Sequence, residues 1–308
     1  MRSRVNITVV EGYENAFQGI SSAIESVGGL NISDGDRVLI KINLCNLRPP
    51  SSGAITHPLF LDALLHYLRE NYYDLDIVVI ESDATESRPD IIIKWFNFDK
   101  ILKKWNAQWY NLSKHPKIIR RVDGYYFDKI EISEIFNKYD YFITVPKLKT
   151  HTLTKITASL KNQFGCLPYW RKVRFHKDID KVIADVNLVM KPDFCLVDGI
   201  LSMGGGGPTY GIPLKSNIII SGTDPVSVDA VCARIVGYNP KRIGHIKNAE
   251  KLGVGSTKYI LDGDIFHPKK HNLNFKFPIW KEYGMSFGRY LKNRVSLVKY
   301  FKRRGNNK

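Results

Sequence analysis

Short apolar runs alternate with segments of helical spacing along most of this chain. The runs lie near residues 37–44, 76–82, 139–145, 193–198 and 216–222, and each is rich in Val, Ile, Leu or Phe. Strands have this composition when both faces of their sheet are covered. Because helical patterns separate the runs, the sequence predicts an α/β fold. We expect one mainly parallel sheet with right-handed crossovers and helices on both faces.

A chain of 308 residues is long enough for one large α/β domain or two smaller ones. We expect residues 1–265 to form a single α/β domain with a smaller, irregular, aromatic-rich insertion at about residues 88–132. Within the insertion, WFNFDKILKKW indicates a helix, QWYNL a strand, and KIIRRVDGYYFDKIEI a hairpin that turns at Asp123 and Gly124. Residues 266–308 are expected to form a basic, aromatic C-terminal extension.

Positive charge is the second strong feature of the composition. The formal net charge is +16, and residues 278–308 hold nine Lys or Arg against one Glu. Aromatic side chains alternate with these cations, and apolar residues recur at roughly helical spacing. A basic amphipathic helix of this kind suits an anionic membrane surface. Two alternatives stay open for the same residues. The helix can dock on the α/β domain of its own chain, or it can bind RNA through stacking and phosphate contacts.

The chain shows no signal peptide and no apolar run near the roughly 18 residues that a membrane span needs. We therefore expect a cytoplasmic protein, and association with a membrane surface is left open. None of the four cysteines is spaced as CxxC, so no iron–sulfur cluster is expected from this chain. Cys195 and Cys232 lie in apolar runs and are expected in the core, whereas Cys45 and Cys166 lie next to polar motifs.

The stretch from residue 141 to 177 holds eight Lys or Arg, two His and no acidic residue. Such crowded cations need compensation, either by carboxylates from elsewhere in the fold or by a bound anion. Its first cations directly follow an apolar strand, where open α/β sheets bind ligands. The next segment, TLTKITASLKNQF, has the spacing of an amphipathic helix. Its predicted polar stripe is Thr150, Thr154, Thr157 and Lys161.

Several longer motifs follow one another in a fixed order: VPKLKTH, SLKNQFG, KPDFCLVDGILSMGGGGPTYG and TDPVSVDAVCARIVG. Together with IKINLC and the THP at residues 56–58, they resemble the family catalogued as domain of unknown function 362. The resemblance covers roughly residues 36–240. It implies a family without a general established activity, in which some members carry a ferredoxin-like cluster module.

Polar residues at the strand ends and within these motifs define the predicted site. The expected catalytic residues are Lys147, Lys149, His151, Lys161 and Asp198. The expected substrate-binding residues are Lys41, Asn43, His57, Asn162, His176, Gly204, Gly205, Gly206 and Gly207. Lysines and carboxylates in one cleft shift each other's pKa values, as acid–base chemistry requires. The resemblance, rather than spacing, supports Lys161 and Asn162, and no histidine spacing indicates a metal site.

These features favour an enzyme that acts on a small anionic substrate, either phosphorylated or carboxylated. One alternative is a polyanion-binding protein that associates with an anionic membrane surface or, less in keeping with the sequence, with nucleic acid. A redox protein that serves an iron–sulfur partner is a third reading, suggested only by the relatives with ferredoxin-like modules. The cofactor, if there is one, and the oligomeric state are not specified by the sequence.

Overall fold

The computed structural model describes residues 2–264 and Phe275. Within this part of the chain, two sheets contain all the strands. The strands are β1 (Ser3–Val9), β2 (Arg37–Ile42), β3 (Asp76–Glu81), β4 (Gln108–Asn111), β5 (Lys117–Arg121), β6 (Lys129–Ser133), β7 (Tyr141–Val145), β8 (Lys147–His151), β9 (Lys155–Thr157), β10 (Phe194–Gly204), β11 (Ile212–Gly222) and β12 (Tyr259–Gly263). The α-helices of the described residues are α1 (Ala16–Glu25), α2 (Pro58–Asn71), α3 (Pro89–Trp95), α4 (Phe98–Lys104), α5 (Ser159–Gln163), α6 (Ile179–Val189), α7 (Pro225–Val236) and α8 (Gly244–Lys251).

The large sheet has the strand order β12-β1-β11-β10-β7-β2-β3-β4. Strands β10, β7, β2, β3 and β4 are mutually parallel, which confirms the predicted, mainly parallel sheet. The last predicted strand, β11, runs antiparallel to both of its neighbours, β10 and β1. The connection explains this direction, because only residues 205–211 join β10 to β11, too few for the crossover that parallel strands need.

Helices cover both faces of this sheet, as predicted. Alternate residues of β2 show the two faces, since Leu39 packs in one hydrophobic cluster and Ile40 in the other. The first cluster contains residues of α5 to α8, including Val182 and Val231. The second contains residues of α1 to α4, including Ile20. We call these sides the α5–α8 face and the α1–α4 face.

The predicted helix over TLTKITASLKNQF is wrong for its first half. Residues 147–157 instead form the β8–β9 hairpin, and α5 begins only at Ser159. The predicted polar stripe does not exist, since Thr150, Thr154 and Thr157 are buried, and Leu153, on the apolar side of the predicted helix, is 49% exposed. Thr150, Thr152 and Thr154 recur at every second position, a spacing that fits a strand. The deciding contact is with β10, which pairs with β8 through Asp198 and Lys147.

Side chains at the starts of two helices fix their first turns. In the sequence, Thr56 before Pro58 is a candidate N-cap of α2, but His57 takes that position and its Nδ1 accepts from the Leu59 N–H at 3.3 Å. The Thr56 hydroxyl donates to the Val145 carbonyl at 2.9 Å and ties α2 to the sheet. Asp224 caps α7 through the N–H groups of the first turn.

The region expected as an insertion divides into two parts. The predicted helix over WFNFDKILKKW is present as α4, and the helix α3 precedes it. The predicted strand over QWYNL is β4, which extends the large sheet beside β3. The predicted hairpin is confirmed as β5 and β6, which form a separate two-stranded sheet. Its turn is held by the buried Asp185 carboxylate, which accepts from the N–H groups of Tyr125, Tyr126 and Phe127 at 2.7–2.9 Å.

The expected C-terminal extension, residues 266–308, lies outside the described residues apart from Phe275. The Phe275 side chain is buried, and its carbonyl accepts from the Gly205 N–H at 2.9 Å. Among the described residues, no helix is both long and apolar enough to cross a membrane. Cys195 and Cys232 are buried, as expected for core residues, and Cys166 is buried as well.

Candidate functional site

A cavity of about 530 Å³ opens at the carboxyl ends of β2 and β3. Side chains from β8, α5 and the 3₁₀ segment Lys172–Asp178 close its other sides. Seven of the predicted site residues line it: Lys41, Asn43, Lys149, His151, Lys161, Asn162 and His176. We call this space the lysine cavity, because four lysines line it against two glutamates, Glu81 and Glu86.

The floor of the lysine cavity is a buried ion pair. Lys41 Nζ lies 2.8 Å from Glu81 Oε1 and donates to the Ile42 carbonyl at 2.7 Å. The other carboxylate oxygen of Glu81 accepts from the Leu44 N–H at 2.9 Å. A Cβ atom on Gly165 would lie 2.7 Å from Lys41 Nζ, so the chain approaches this pair closely only because residue 165 is glycine. The pair neutralises Lys41.

Asn162 ties α5 to the ends of two strands. Its Oδ1 accepts from Asn43 Nδ2 at 2.9 Å, and its Nδ2 donates to the Lys41 carbonyl at 3.1 Å and to Thr144 Oγ1 at 2.9 Å. These bonds are buried and reach across β2 and β7. They hold the short helix α5 in place, and the neighbouring Lys161 is therefore directed at the cavity.

The beginning of α5 is held from behind by a buried acid. Both oxygens of Asp229 lie 3.3 Å from the Leu160 N–H, and the side chain is fully buried. As the one carboxylate of α7, Asp229 is a candidate for the solvent-facing side on sequence grounds alone, but in the structure it is fully buried. His245 lies between Asp229 and Asp180, with Nε2 3.8 Å from the first and Nδ1 3.4 Å from the second. Burial alone would lower its pKa, but the two carboxylates raise it.

Lys149 has all its protons engaged at the cavity wall. Its Nζ donates to Asn43 Oδ1 at 2.8 Å, to the Ala54 carbonyl at 2.5 Å and to Cys45 Sγ at 3.1 Å. An ammonium group has three donors, so these three contacts account for each of them. No carboxylate among the described residues pairs with Lys149, and its charge is left uncompensated within that set.

Lys172 closes the cavity from the opposite side. Its buried Nζ donates to the Ser82 hydroxyl and, at 2.9 Å, to the Asp83 carbonyl. Burial lowers the pKa of the Lys172 amine to about 8, although the Glu81 charge opposes the shift. Sequence reasoning missed this residue, because nothing in its spacing distinguishes it from the other cations of the basic stretch.

Lys161 differs from the other cavity lysines. Its Nζ lies 4.4 Å from the centre of the Phe164 ring, and no acidic side chain of the described residues forms an ion pair with it. The side chain is partly exposed to the cavity and otherwise enclosed by protein. Burial, together with the nearby charges of Lys149 and Lys172, lowers the pKa of Lys161 to about 7.

Two histidines and one hydroxyl complete the polar wall. His151 Nδ1 accepts from the Leu153 N–H at 3.1 Å, so the proton of its neutral ring resides on Nε2. Burial, followed by the charges of Lys161 and Lys149, lowers the pKa of His151 to about 2 and keeps the ring neutral. His176 lies exposed at the rim. The buried Thr157 hydroxyl also faces the lysine cavity and has no hydrogen-bond partner among the described residues.

Three predicted site residues form a separate buried cluster on the α1–α4 face. Lys147 Nζ lies 2.6 Å from Asp198 Oδ2, and both side chains are inaccessible to solvent. Tyr13, which the sequence did not single out, donates to Asp198 Oδ1 at 2.9 Å and stacks on His57 at 3.8 Å. Burial lowers the pKa of His57 to about 4 and, despite the opposing Asp198 charge, also lowers that of Lys147.

Lys147, Asp198 and His57 do not line the lysine cavity, so the expectation of one shared cleft needs correction for these three. The reason is the pleat of the sheet: Asp198 alternates with Val197 along β10 and therefore points to the other face. The cluster lies directly behind β8, which carries Lys149 into the cavity.

The four glycines are displaced from their expected position as well. Gly204 is the last residue of β10, and none of residues 204–207 lines the lysine cavity, whereas Pro208 and Thr209 do. Gly205 and Gly207 contact β8 instead: the Gly205 carbonyl accepts from the Thr150 hydroxyl at 2.7 Å, and a Cβ on Gly207 would lie 2.1 Å from the Thr150 carbonyl oxygen. They allow the β10–β11 connection to pass closely over the hairpin.

No group of three or more His, Cys, Asp or Glu side chains in the described part of the chain is arranged to hold a metal ion. The lysine cavity is lined by ammonium groups, a neutral imidazole, amides and hydroxyls, beside the carboxylates of Glu81 and Glu86. This set can bind an anion and move a proton.

Comparison with known proteins gives a family and two distant similarities. A thylakoid-associated protein of Synechocystis sp. is 24% identical over 294 residues, which is 90% of this chain and 88% of the relative. The lactate racemase apoprotein from Thermoanaerobacterium thermosaccharolyticum is 13% identical with a TM-score of 0.45, over 77% of this chain and 57% of that one. The family model for a domain of unknown function, DUF362, matches residues 38–234. The match spans more than half of the sequence and includes the walls of the lysine cavity, and the chain belongs to the DUF362 family.

Proposed function

We propose that the chain is an enzyme that acts on a small anionic substrate, phosphorylated or carboxylated, in the lysine cavity. The observation that carries this proposal is the charge balance of the wall. Glu81 is committed to Lys41, and Glu86 is exposed to solvent. Lys149, Lys161 and Lys172 therefore face one space without paired carboxylates among the described residues. A bound anion supplies the missing compensation.

The size and enclosure of the cavity agree with a small molecule. Its volume of about 530 Å³ lies within the range of ligand sites, roughly 300–1,000 Å³. Phe164 and the aliphatic parts of the lysines line the wall, so charges inside interact more strongly than they would in water. Preorganised cations in such a space stabilise negative charge that develops during a reaction.

The side chains divide naturally into two roles. Lys149, whose three protons are engaged by protein acceptors, contributes fixed positive charge, and Lys172, which donates to two acceptors, keeps a third N–H for the anionic group of the substrate. Lys161, which is partly neutral near pH 7, is suited to act as a base or nucleophile. His151 offers Nε2–H as a neutral hydrogen-bond donor. The Lys147–Asp198 pair contributes indirectly, by supporting β8.

The test is a calorimetric titration with inorganic phosphate. Lys149→Ala and Lys161→Ala should each weaken phosphate binding by about tenfold or more, because each removes a charged contact in an enclosed site. Lys177→Ala is the matched control, since Lys177 belongs to the same basic stretch but is exposed and does not line the cavity. Equal affinity in all three variants and the parent would contradict the anion site.

We also propose that the protein associates with an anionic membrane surface. The support is the basic, aromatic sequence of residues 278–308 and the name of the Synechocystis relative, which is described as thylakoid-associated. Each basic residue near such a surface contributes on the order of 1 kcal/mol. In a flotation assay, the full chain should float with anionic liposomes, whereas a variant truncated before Pro278 should not. If the two behave alike, residues 278–308 have no such role.

A further inference from the structure

We propose that Lys161 is a covalent nucleophile whose amine condenses with the carbonyl carbon of the substrate to form an imine. The substrate class is a small aldehyde or ketone that also carries a carboxylate or phosphate, such as a 2-oxo acid. This inference rests on the proposed anion site and assigns a reaction to it.

The other three lysines of the cavity are already engaged by protein groups. Lys41 is committed to Glu81 at 2.8 Å and to a backbone carbonyl. Lys149 donates to three acceptors, and Lys172 donates to a hydroxyl and a carbonyl. Because these acceptors hold the three nitrogen atoms in place, these side chains are suited to bind charge rather than to attack carbon.

Lys161 has none of these commitments among the described residues. Its amine lies against the face of Phe164 at 4.4 Å and opens into the lysine cavity. The charges of Lys149, Lys172 and Lys41 surround it and disfavour its protonated form. A desolvated amine next to other cations is the usual arrangement for an imine-forming lysine. The same cations that activate it would hold the substrate's anionic group.

The remaining polar groups match the needs of the reaction. The lone pair of Lys161 attacks the carbonyl carbon, and the carbonyl π electrons move to oxygen. Transfer of a proton from nitrogen to that oxygen gives a neutral carbinolamine, and loss of one water molecule gives the neutral imine, which takes up one proton from solvent to become the protonated imine. The unpartnered Thr157 hydroxyl and His151 Nε2–H are the cavity donors available to the carbonyl oxygen. No oxidant or further reactant is required.

The test is reductive trapping on the full-length chain. Glyoxylate and pyruvate are added separately at about pH 7 with sodium borohydride, which reduces an imine to a stable secondary amine, and the labelled lysine is located by peptide mass mapping. An ordinary exposed lysine amine has a pKa of about 10.4, so Lys161 should label about tenfold or more faster than exposed lysines such as Lys177. Acetaldehyde, which lacks the carboxylate, should show a smaller preference for Lys161 than glyoxylate does, because only the lowered pKa of Lys161, and not the anion site, then favours this lysine.

Variants and a competitor separate the possible outcomes. Lys161→Arg should abolish the fast label, whereas Lys177→Arg should keep it, and inorganic phosphate should slow labelling at Lys161. Because the site is mapped in the unaltered chain, the result does not depend on the folding of a variant. Labelling of Lys161 no faster than Lys177 would overturn the inference. If phosphate still binds in calorimetry, the anion site stands without the imine; if it does not, both proposals fail.

Discussion

Replacing Lys147 by methionine tests whether the buried Lys147–Asp198 pair supports the fold behind the lysine cavity. Methionine retains the length and apolar stem of the side chain but removes the ammonium group. The two charges are 2.6 Å apart, and neither side chain is accessible to solvent. Removal of Lys147 would therefore leave the Asp198 carboxylate buried, with the Tyr13 hydroxyl and the His57 backbone N–H as its remaining donors among the described residues.

The expected loss follows from this geometry. Breaking a buried ion pair by removing one partner costs about 3–5 kcal/mol, because a charge stays buried without compensation. Two donors to Asp198 remain, at 2.9 and 3.1 Å, so we expect the lower end, about 3 kcal/mol. The double variant Lys147→Met/Asp198→Leu removes both charges and leaves only neutral donors unpaired. It should lose less than the sum of the single variants by about 2 kcal/mol or more.

Urea unfolding at neutral pH, followed by tryptophan fluorescence, measures these free energies. The parent, both single variants and the double variant form a complete cycle. A loss below about 1 kcal/mol for Lys147→Met, or strict additivity of the two single changes, would refute the idea that the two charges compensate each other in the folded chain.

Three further results are expected. Gly207→Ala should destabilise the chain by about 1–3 kcal/mol in urea unfolding, because the new Cβ would lie 2.1 Å from the Thr150 carbonyl oxygen; an unchanged midpoint would show that the connection moves freely. Asp185→Ala should cost about 3 kcal/mol and speed amide hydrogen exchange in the β5–β6 turn, since three N–H groups lose one acceptor. Stability should also depend on pH through Lys161. Its folded pKa of about 7 lies below the unfolded value of about 10.4, so between these values the unfolded chain binds more protons and the free energy of unfolding rises with pH. Lys161→Met should flatten this rise, and equal slopes for parent and variant would contradict the assignment.

Much of the fold could be predicted because local patterns carry it. The strands β2, β3, β7 and β10 are nearly continuous apolar runs, and the helices between them have amphipathic spacing. Residues 150–157 could not be assigned in this way. Their Thr and Ile side chains satisfy the spacing of a helix and the preferences of a strand equally well. The stretch becomes a strand because β8 pairs with β10 from Asp198 onward, and this partner lies about fifty residues away in the sequence.

The sequence by itself determined that cations crowd together after the strand ends, because strand direction and residue order place them there. Only the tertiary structure decided which of those charges are compensated. Lys41 on β2 pairs with Glu81 on β3, and Lys147 on β8 pairs with Asp198 on β10. The pleat of the sheet places the second pair on the α1–α4 face, away from the lysine cavity. Lys161 is left without a carboxylate among the described residues, and its pKa falls because burial and neighbouring charge are properties of the packed chain.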